Sequence, residues 1–409
     1  MTDQSRRRFL LRSAALGCSA AASPWVTPLA LASAPWDNRL VVILLRGGMD
    51  GIDAIRPVGD PDYARLRGAV APEVGDPTGF YALHPALSPL RSMWDDGELA
   101  AAHAVSTPYR DKRSHFDGQD LLEAGVGFVP GAERQGDGWL NRLLQAVPGV
   151  QAETAFAVGR TSMLLLSGDA PFSTWSPESR LAITPQAKLL LQRLYGADPL
   201  FGQAATAAIS LSDALEYAAP TADLVEDDAD AATLTGMMEH RRGAAGGHLR
   251  IASFVAGRLR NETRIAAFSL NGWDTHNAQH RGLDRALDRL SETLIALKLG
   301  LGPVWGRTAV LAMTEFGRTV ALNGTAGTDH GTGGAMVLAG GAVRGGRVHG
   351  DWPGLAEADR YDRRDLMPTA DVRTYAAQAM QELFGLSRAV LSETVFPGLD
   401  FEKVGPLLR

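Results

Sequence analysis

Leu40-Val41-Val42-Ile43-Leu44-Leu45-Arg46-Gly47-Gly48-Met49-Asp50-Gly51-Ile52-Asp53 is the stretch from which the fold is read. Six apolar residues in succession predict a buried strand, and the glycine pair lets the backbone turn sharply before two carboxylates. A tight turn closed by a helix cap accounts for the same letters. Apolar runs of this kind recur at Leu99–Val105, Thr154–Val158, Ile265–Leu270, Thr308–Met313 and Ala335–Ala339. Helical patterns fall between them at Pro85–Asp95, Thr184–Tyr195, Leu283–Leu299 and Val372–Leu383, each bounded by Gly, Pro or a capping residue. Alternation of this type builds an α/β fold, a doubly wound and mostly parallel sheet with helices on both faces. From Asp198 to Arg260 the chain turns Ala-rich, charged and strand-poor, which predicts a helical insertion or lid rather than a second domain.

Ligands of open α/β sheets bind beyond the carboxyl ends of the strands, so polar clusters there carry the chemistry. The first is Arg46–Asp53 itself. The second, Tyr109-Arg110-Asp111-Lys112-Arg113-Ser114-His115-Phe116-Asp117, offers a hydroxyl among cations at a predicted helix start. There Ser114 is read as a nucleophile at a helix start with Arg110, Lys112 or Arg113 nearby, or as an N-cap paired with Asp117. The third, Gly272-Trp273-Asp274-Thr275-His276-Asn277-Ala278-Gln279-His280, puts a carboxylate and two imidazoles just past a strand. Asp274 and His276 share a metal if the chain is extended, whereas His276 and His280 share a face if a helix has begun. The fourth is split between Thr314-Glu315-Phe316-Gly317-Arg318-Thr319 and Thr328-Asp329-His330-Gly331-Thr332-Gly333-Gly334. His84, His103, His240, His248 and His349 have no clustered acids and read as core, surface or loop histidines, and Gly340–Gly346 reads as a turn.

The amino terminus reads as an address. Ser5-Arg6-Arg7-Arg8-Phe9-Leu10-Leu11 is a twin-arginine run feeding a weakly apolar segment, and Ala30 and Ala32 have the spacing a signal peptidase reads. Residues 1–34 are therefore expected to be a signal peptide handled by the twin-arginine export machinery. Residues 35–409 form the mature domain, periplasmic or secreted, with no membrane span after processing. Cys18, the one cysteine, falls within the leader, so the mature chain has no disulfide, thiolate ligand or cysteine nucleophile. Any metal must then be held by His, Asp, Glu or backbone oxygen. The whole chain carries −6; residues 1–32 hold Arg6, Arg7, Arg8 and Arg12 against Asp3, a net of +3, which leaves −9 for the remainder. An acidic balance argues against nucleic acid as a partner.

The ordered set RGGMDG at 46–51, RSHFDGQD at 113–120, GWDTH at 272–276, TEFGRT at 314–319 and DHGTGG at 329–334 resembles the exported bacterial family labelled domain of unknown function 1501. That family is similar to a distant branch of the alkaline phosphatase, sulfatase and cofactor-independent phosphoglycerate mutase superfamily. The resemblance implies a metal-dependent hydrolase or transferase acting on a small anionic substrate, a phosphate or sulfate ester. Ser114 would be its nucleophile, with Arg113 and His115 beside it. Asp50, Asp274, His276, Glu315, Asp329 and His330 would hold one or two divalent ions, zinc or manganese in preference to calcium. Three features depart from the superfamily pattern. The first acid is Asp50 rather than a residue directly after the strand, Glu315-Phe316 replaces an Asp-His pair, and Asp274 and His276 are two apart rather than four. They open the alternative of a non-catalytic binding or assembly protein on a degenerate hydrolase scaffold.

Overall fold

The computed structural model describes residues 36–68, 78–110, 112–127, 136–159, 163–176, 189–190, 193–194, 246–401 and 404–409. The expected leader at 1–34, most of the helix expected at Thr184–Tyr195, and residues 198–245 of the expected insertion lie outside the described residues.

One sheet carries the fold. Its strands are β1 (Arg39–Arg46), β2 (Leu99–Ser106), β3 (Ala155–Val158), β4 (Ser173–Trp175), β5 (Ile265–Asn271), β6 (Thr308–Met313), β7 (Gly334–Ala339), β8 (Arg347–His349) and β9 (Ala370–Asp371). They are ordered β8-β2-β7-β6-β1-β5-β3-β4, with β9 also pairing β2. All pairs are parallel except those made by β7, which runs against both β6 and β2. The α/β, mostly parallel expectation is borne out, and all six expected strands are present. Three strands of this sheet that the sequence did not disclose, β4, β8 and β9, have two or three residues each, as do the two of a separate antiparallel pair, Ile55–Arg56 and Ala82–Leu83, all too short for any periodic signal.

β1 shows why both faces are covered. Val41, Ile43 and Leu45 point into one core with helices α3 (Gly247–Leu259) and α4 (Gln279–Leu301). Leu40, Val42 and Leu44 point into the other with α2 (Trp139–Gln145) and α5 (Val372–Phe384). The two-residue period of a strand thus divides one apolar run between two layers. Helix α3 falls within the 198–260 stretch and is part of this packing, with Leu249, Ala252, Phe254, Val255 and Leu259 buried. Helix α5 is delimited as its sequence dictates: Asp371 accepts the Arg373 N–H at the start, and left-handed Gly385 ends it. The expected helix at 85–95 divides into a 3-10 segment, Pro85–Leu90, and an α-helical turn, Arg91–Asp95, because Pro89 lacks the N–H a continuous helix needs. No described helix is long and apolar enough to cross a membrane.

This topology selects one edge of the sheet. β1, β2, β5 and β6 run parallel and finish there, and antiparallel β7 starts there, so the segments 47–53, 107–115, 272–276, 314–319 and 329–333 emerge side by side.

Candidate metal centre

The turn after β1 is compressed against the turn after β5. Gly47 has φ +123°, and a Cβ there would lie 2.5 Å from the Asp274 backbone nitrogen, so neither conformation nor space admits a side chain. Trp273, fully buried, donates its indole N–H to the Leu270 carbonyl at 2.9 Å and fixes the chain just before Asp274. The two halves of the split cluster join as an antiparallel bridge between Arg318 and His330, supported by Gly317 N–H to Thr332 O and Gly331 N–H to Gly317 O. Helix α1 (His115–Ala124) follows β2 and presents His115 from its first residue.

These segments bring together His115, Asp274, His276 and His330. Asp274 Oδ1 lies 3.0 Å from His276 Nε2 and 3.4 Å from His330 Nε2, and Asp274 Oδ2 lies 3.4 Å from His115 Nε2. The Nε2 atoms of His276 and His330 are 3.0 Å apart. The donor atoms of His115, Asp274 and His330 all fall within 4.8 Å of one another.

The far nitrogen of each ring explains this convergence. His115 Nδ1 meets Glu315 Oε1 at 2.8 Å, His276 Nδ1 meets Asp329 Oδ1 at 3.1 Å, and His330 Nδ1 meets the Arg113 carbonyl at 2.7 Å. Carboxylate and carbonyl oxygens only accept, so each Nδ1 carries the proton and each neutral ring turns a bare Nε2 lone pair inward. The His115 and His330 lone pairs gathered with the Asp274 carboxylate, and the His276 lone pair set against Asp274 and His330, are stable only with positive charge among them, from protons or from a metal ion. Among the described residues, the buried Nε2 of His115 has no hydrogen-bond partner. Ligand atoms about 2.0–2.1 Å from a tetrahedral ion sit roughly 3.3 Å apart, which is the spacing around Asp274. A second tier of acceptors behind metal-binding imidazoles is the usual arrangement. His115, Asp274 and His330 therefore fit a single divalent ion, with His276 beside them against Asp274.

Charges around the four residues agree. Glu315 is buried, and burial works to raise its carboxyl, but hydrogen bonds from His115, Gln119 and the Gly47 N–H outweigh it and hold the group below the ordinary range. Burial likewise works to raise Asp274, and the wholly buried Arg318 guanidinium, 2.8 Å from Oδ1, outweighs it with help from His276 and His115. Hydrogen bonds from Asn323 and His276 lower Asp329. Glu315 raises the His115 imidazole, while burial lowers His330. Three carboxylates against the guanidinium groups of Arg318 and Arg364 leave the constellation net negative with neutral rings, a balance that a cation completes.

The backbone carries strain here. Six described non-glycine residues have positive φ, and five of them, Arg113, Ala278, Ala326, Asp362 and Arg363, lie in loops that carry or brace these side chains. Such conformations cost about 1–3 kcal/mol each and concentrate at functional sites.

Each residue named from the sequence has a place. Asp274, His276 and His330 come together, and the segment carrying Asp274 and His276 is not helical, since α4 begins only at Gln279. His280 is exposed on that helix. Glu315 and Asp329 stand behind the rings of His115 and His276 rather than at the centre. His115 joins the cluster itself. Asp50 stands apart, capping the turn Gly51–Ala54 and paired with Arg67 at 2.7 Å. Ser114 is the N-cap position of α1, but its side chain makes no capping bond. The Arg113 side chain turns to Asp365, and only its carbonyl faces the cluster. Sequence reasoning gave no role to Arg318, whose motif was visible but whose burial was not, or to Asp365, which sits in an undistinguished charged run.

The family model described as Protein of unknown function (DUF1501) matches residues 101–385. No curated protein matches the sequence. Among solved structures, the chain is similar to the lipoteichoic acid synthase LtaP from Listeria monocytogenes, with 6% identity and a TM-score of 0.31. That match covers 69% of this chain and 57% of LtaP, so the chain spans little over half the length of that protein. It is similar also to the alkaline phosphatase from the Antarctic bacterium TAB5, with 8% identity, a TM-score of 0.31, and coverage of 75% of this chain and 91% of that one. The family match takes in four of the five motifs and well over half of the 409 residues, and the chain belongs to the DUF1501 family.

Proposed function

We propose that this protein is a metal-dependent hydrolase or transferase of phosphate or sulfate esters, with one zinc or manganese ion held by His115, Asp274 and His330 and with His276 beside them. The observation that carries the reading is the inward convergence of three Nε2 atoms on Asp274, each ring held from behind by an acceptor. One ion is favoured over two, since Asp50 and Glu315 are committed elsewhere.

A divalent ion bound there acts as a Lewis acid on an ester oxygen and lowers the pKa of a nearby hydroxyl. Ser114 supplies that hydroxyl in this reading. It precedes His115 directly and is half-buried, and among the described residues its side chain makes no capping hydrogen bond that would tie it down. The first turn of α1 has N–H groups without intrahelical acceptors, which suits them to the oxygens of an anionic ester. Arg318 keeps Asp274 ionised and oriented, and Glu315 and Asp329 fix the tautomers of His115 and His276. The twin-arginine run assigns this activity to the periplasm or the cell exterior, beyond the export machinery.

The test is elemental analysis of natively exported protein purified without chelator, followed by an ester screen. One equivalent of zinc or manganese, lost in Asp274→Ala, together with metal-dependent turnover abolished in Ser114→Ala, is the expected result. Stoichiometric metal with no turnover of any ester would move the protein to the binding or assembly class. Absence of metal would overturn the centre altogether.

A further inference from the structure

Three loops meet behind the His115 and His330 rings, and one fully buried carboxylate joins them. Asp365 Oδ2 accepts from Arg113 Nε at 2.9 Å and from the Thr332 hydroxyl at 2.9 Å, while Oδ1 accepts from Arg364 at 3.1 Å. Arg364 also donates to the His330 carbonyl at 3.0 Å. Asp365 thus holds the residue two before His115, the residue two after His330, and a neighbour that grips His330 itself. Arg113 is left-handed, with φ +55°, and in that conformation its carbonyl accepts the His330 Nδ1 proton. The loop that presents Asp365 turns through Asp362 and Arg363, both left-handed, and closes with paired hydrogen bonds between Tyr361 and Asp365. None of these side chains lines the centre, and a loop fold alone does not require a carboxylate at zero exposure bonded to two guanidinium groups and a hydroxyl. The cost of burying that charge is offset only by complete pairing.

We infer that Asp365 is a positioning residue for the metal centre: through Arg113 and Arg364 it sets the tautomer and aim of His330 and the placement of His115. The inference rests on the metal reading given above. Acceptors behind metal-binding imidazoles change affinity by about 10–100-fold when removed, and the same range is expected one bond further back.

The experiment uses the full mature chain with Co(II) as the probe, in wild type, Asp365→Asn and Arg113→Gly. Glycine at 113 tolerates the left-handed backbone while cutting the tether to Asp365, so this variant keeps the question open to test if Asp365→Asn does not fold. Expected are a Co(II) dissociation constant raised at least tenfold in both variants and an altered visible absorption spectrum of the loaded protein. Metal-free Arg113→Gly is expected to fold with a lower unfolding midpoint than wild type, because buried Asp365 keeps only Arg364 and Thr332 as partners. Long-range proton–nitrogen correlation of the imidazoles in metal-free protein is expected to report the His330 Nδ1–H tautomer in wild type and its loss in the variants. Folded variants with wild-type Co(II) affinity, spectrum and tautomer overturn the inference. Wild-type protein that shows the tautomer and its dependence on Asp365, yet binds no Co(II), overturns the metal reading and leaves Asp365 as a positioner of His330 alone.

Discussion

Two polar clusters lie at the carboxyl edge of the same sheet, and they differ in how their electron pairs are used. Around Asp50 everything is spent. Its two oxygens accept from Arg67, from Gln279 Nε2 at 2.7 Å, and from the N–H groups of Ile52 and Asp53, and it is wholly buried. His103 belongs to the same closed region, donating to the Gly51 and Ile55 carbonyls at 3.1 and 3.0 Å while accepting the Ala104 N–H at 2.8 Å. Around Asp274 the reverse holds, with three imidazole lone pairs turned inward and Asp274 itself 43% exposed at the side chain. Both clusters are rich in titratable groups, and only the second has unspent valence. Saturation, not composition, separates a brace from a binding centre.

The largest effect expected from this comparison is on the closed side. Arg67→Ala strands the Asp50 carboxylate in the core, and urea unfolding should show a loss of about 3–5 kcal/mol. Metal content per folded molecule should stay at the wild-type value, and a folded Arg67→Ala variant without metal would erase the distinction between the two clusters.

Acid should act next on the same side. Burial lowers the His103 imidazole to about 4, against an ordinary value of roughly 6.5 in an unfolded chain. Between these values the unfolded state binds the extra proton, so stability rises with pH from about 4 to 6.5 and is flat above, a change on the order of 3 kcal/mol. His349, also lowered to about 4 by burial, adds in the same direction. In His103→Gln the slope of stability against pH should flatten across that window, and an unchanged slope would remove His103 from the account.

On the open side, zinc at about 100 times its dissociation constant should stabilise the wild type by roughly 2.7 kcal/mol and His330→Ala not at all. Equal thermal shifts in the two proteins would locate the metal elsewhere. The smallest effect sharpens the comparison most. In metal-free protein, His276→Ala removes a ring 40% exposed at the side chain that faces another lone pair 3.0 Å away, so stability should change by no more than about 0.5 kcal/mol. A loss of several kcal/mol would show that the ring is a brace like Asp50.

The motifs disclosed the members of the site better than their roles. Asp274, His276, Glu315, Asp329 and His330 were legible because acids and imidazoles crowd the ends of strands that the apolar runs had already marked. Their division into inner ligands and outer acceptors was not, since the reach of Glu315 to His115 spans 200 residues of chain. Asp50 looked like a ligand for the same reason that Asp274 did, and only the position of Arg67, an unremarkable basic residue 17 places on, spends its oxygens. Asp365 had no signal at all, because burial beneath two guanidinium groups is a property of packed loops rather than of spacing.

What the sequence determined by itself is the sheet and its working edge. Short apolar runs such as Leu40–Leu45 suit strands covered on both faces, and the glycines after them admit the turns that bring polar residues together. What the tertiary structure alone decided is which of those polar residues point at one another. Hydrogen-bond valence is saturated pair by pair in three dimensions, so the choice between a paired Asp50 and an open Asp274 depends on side chains that approach from distant parts of the chain.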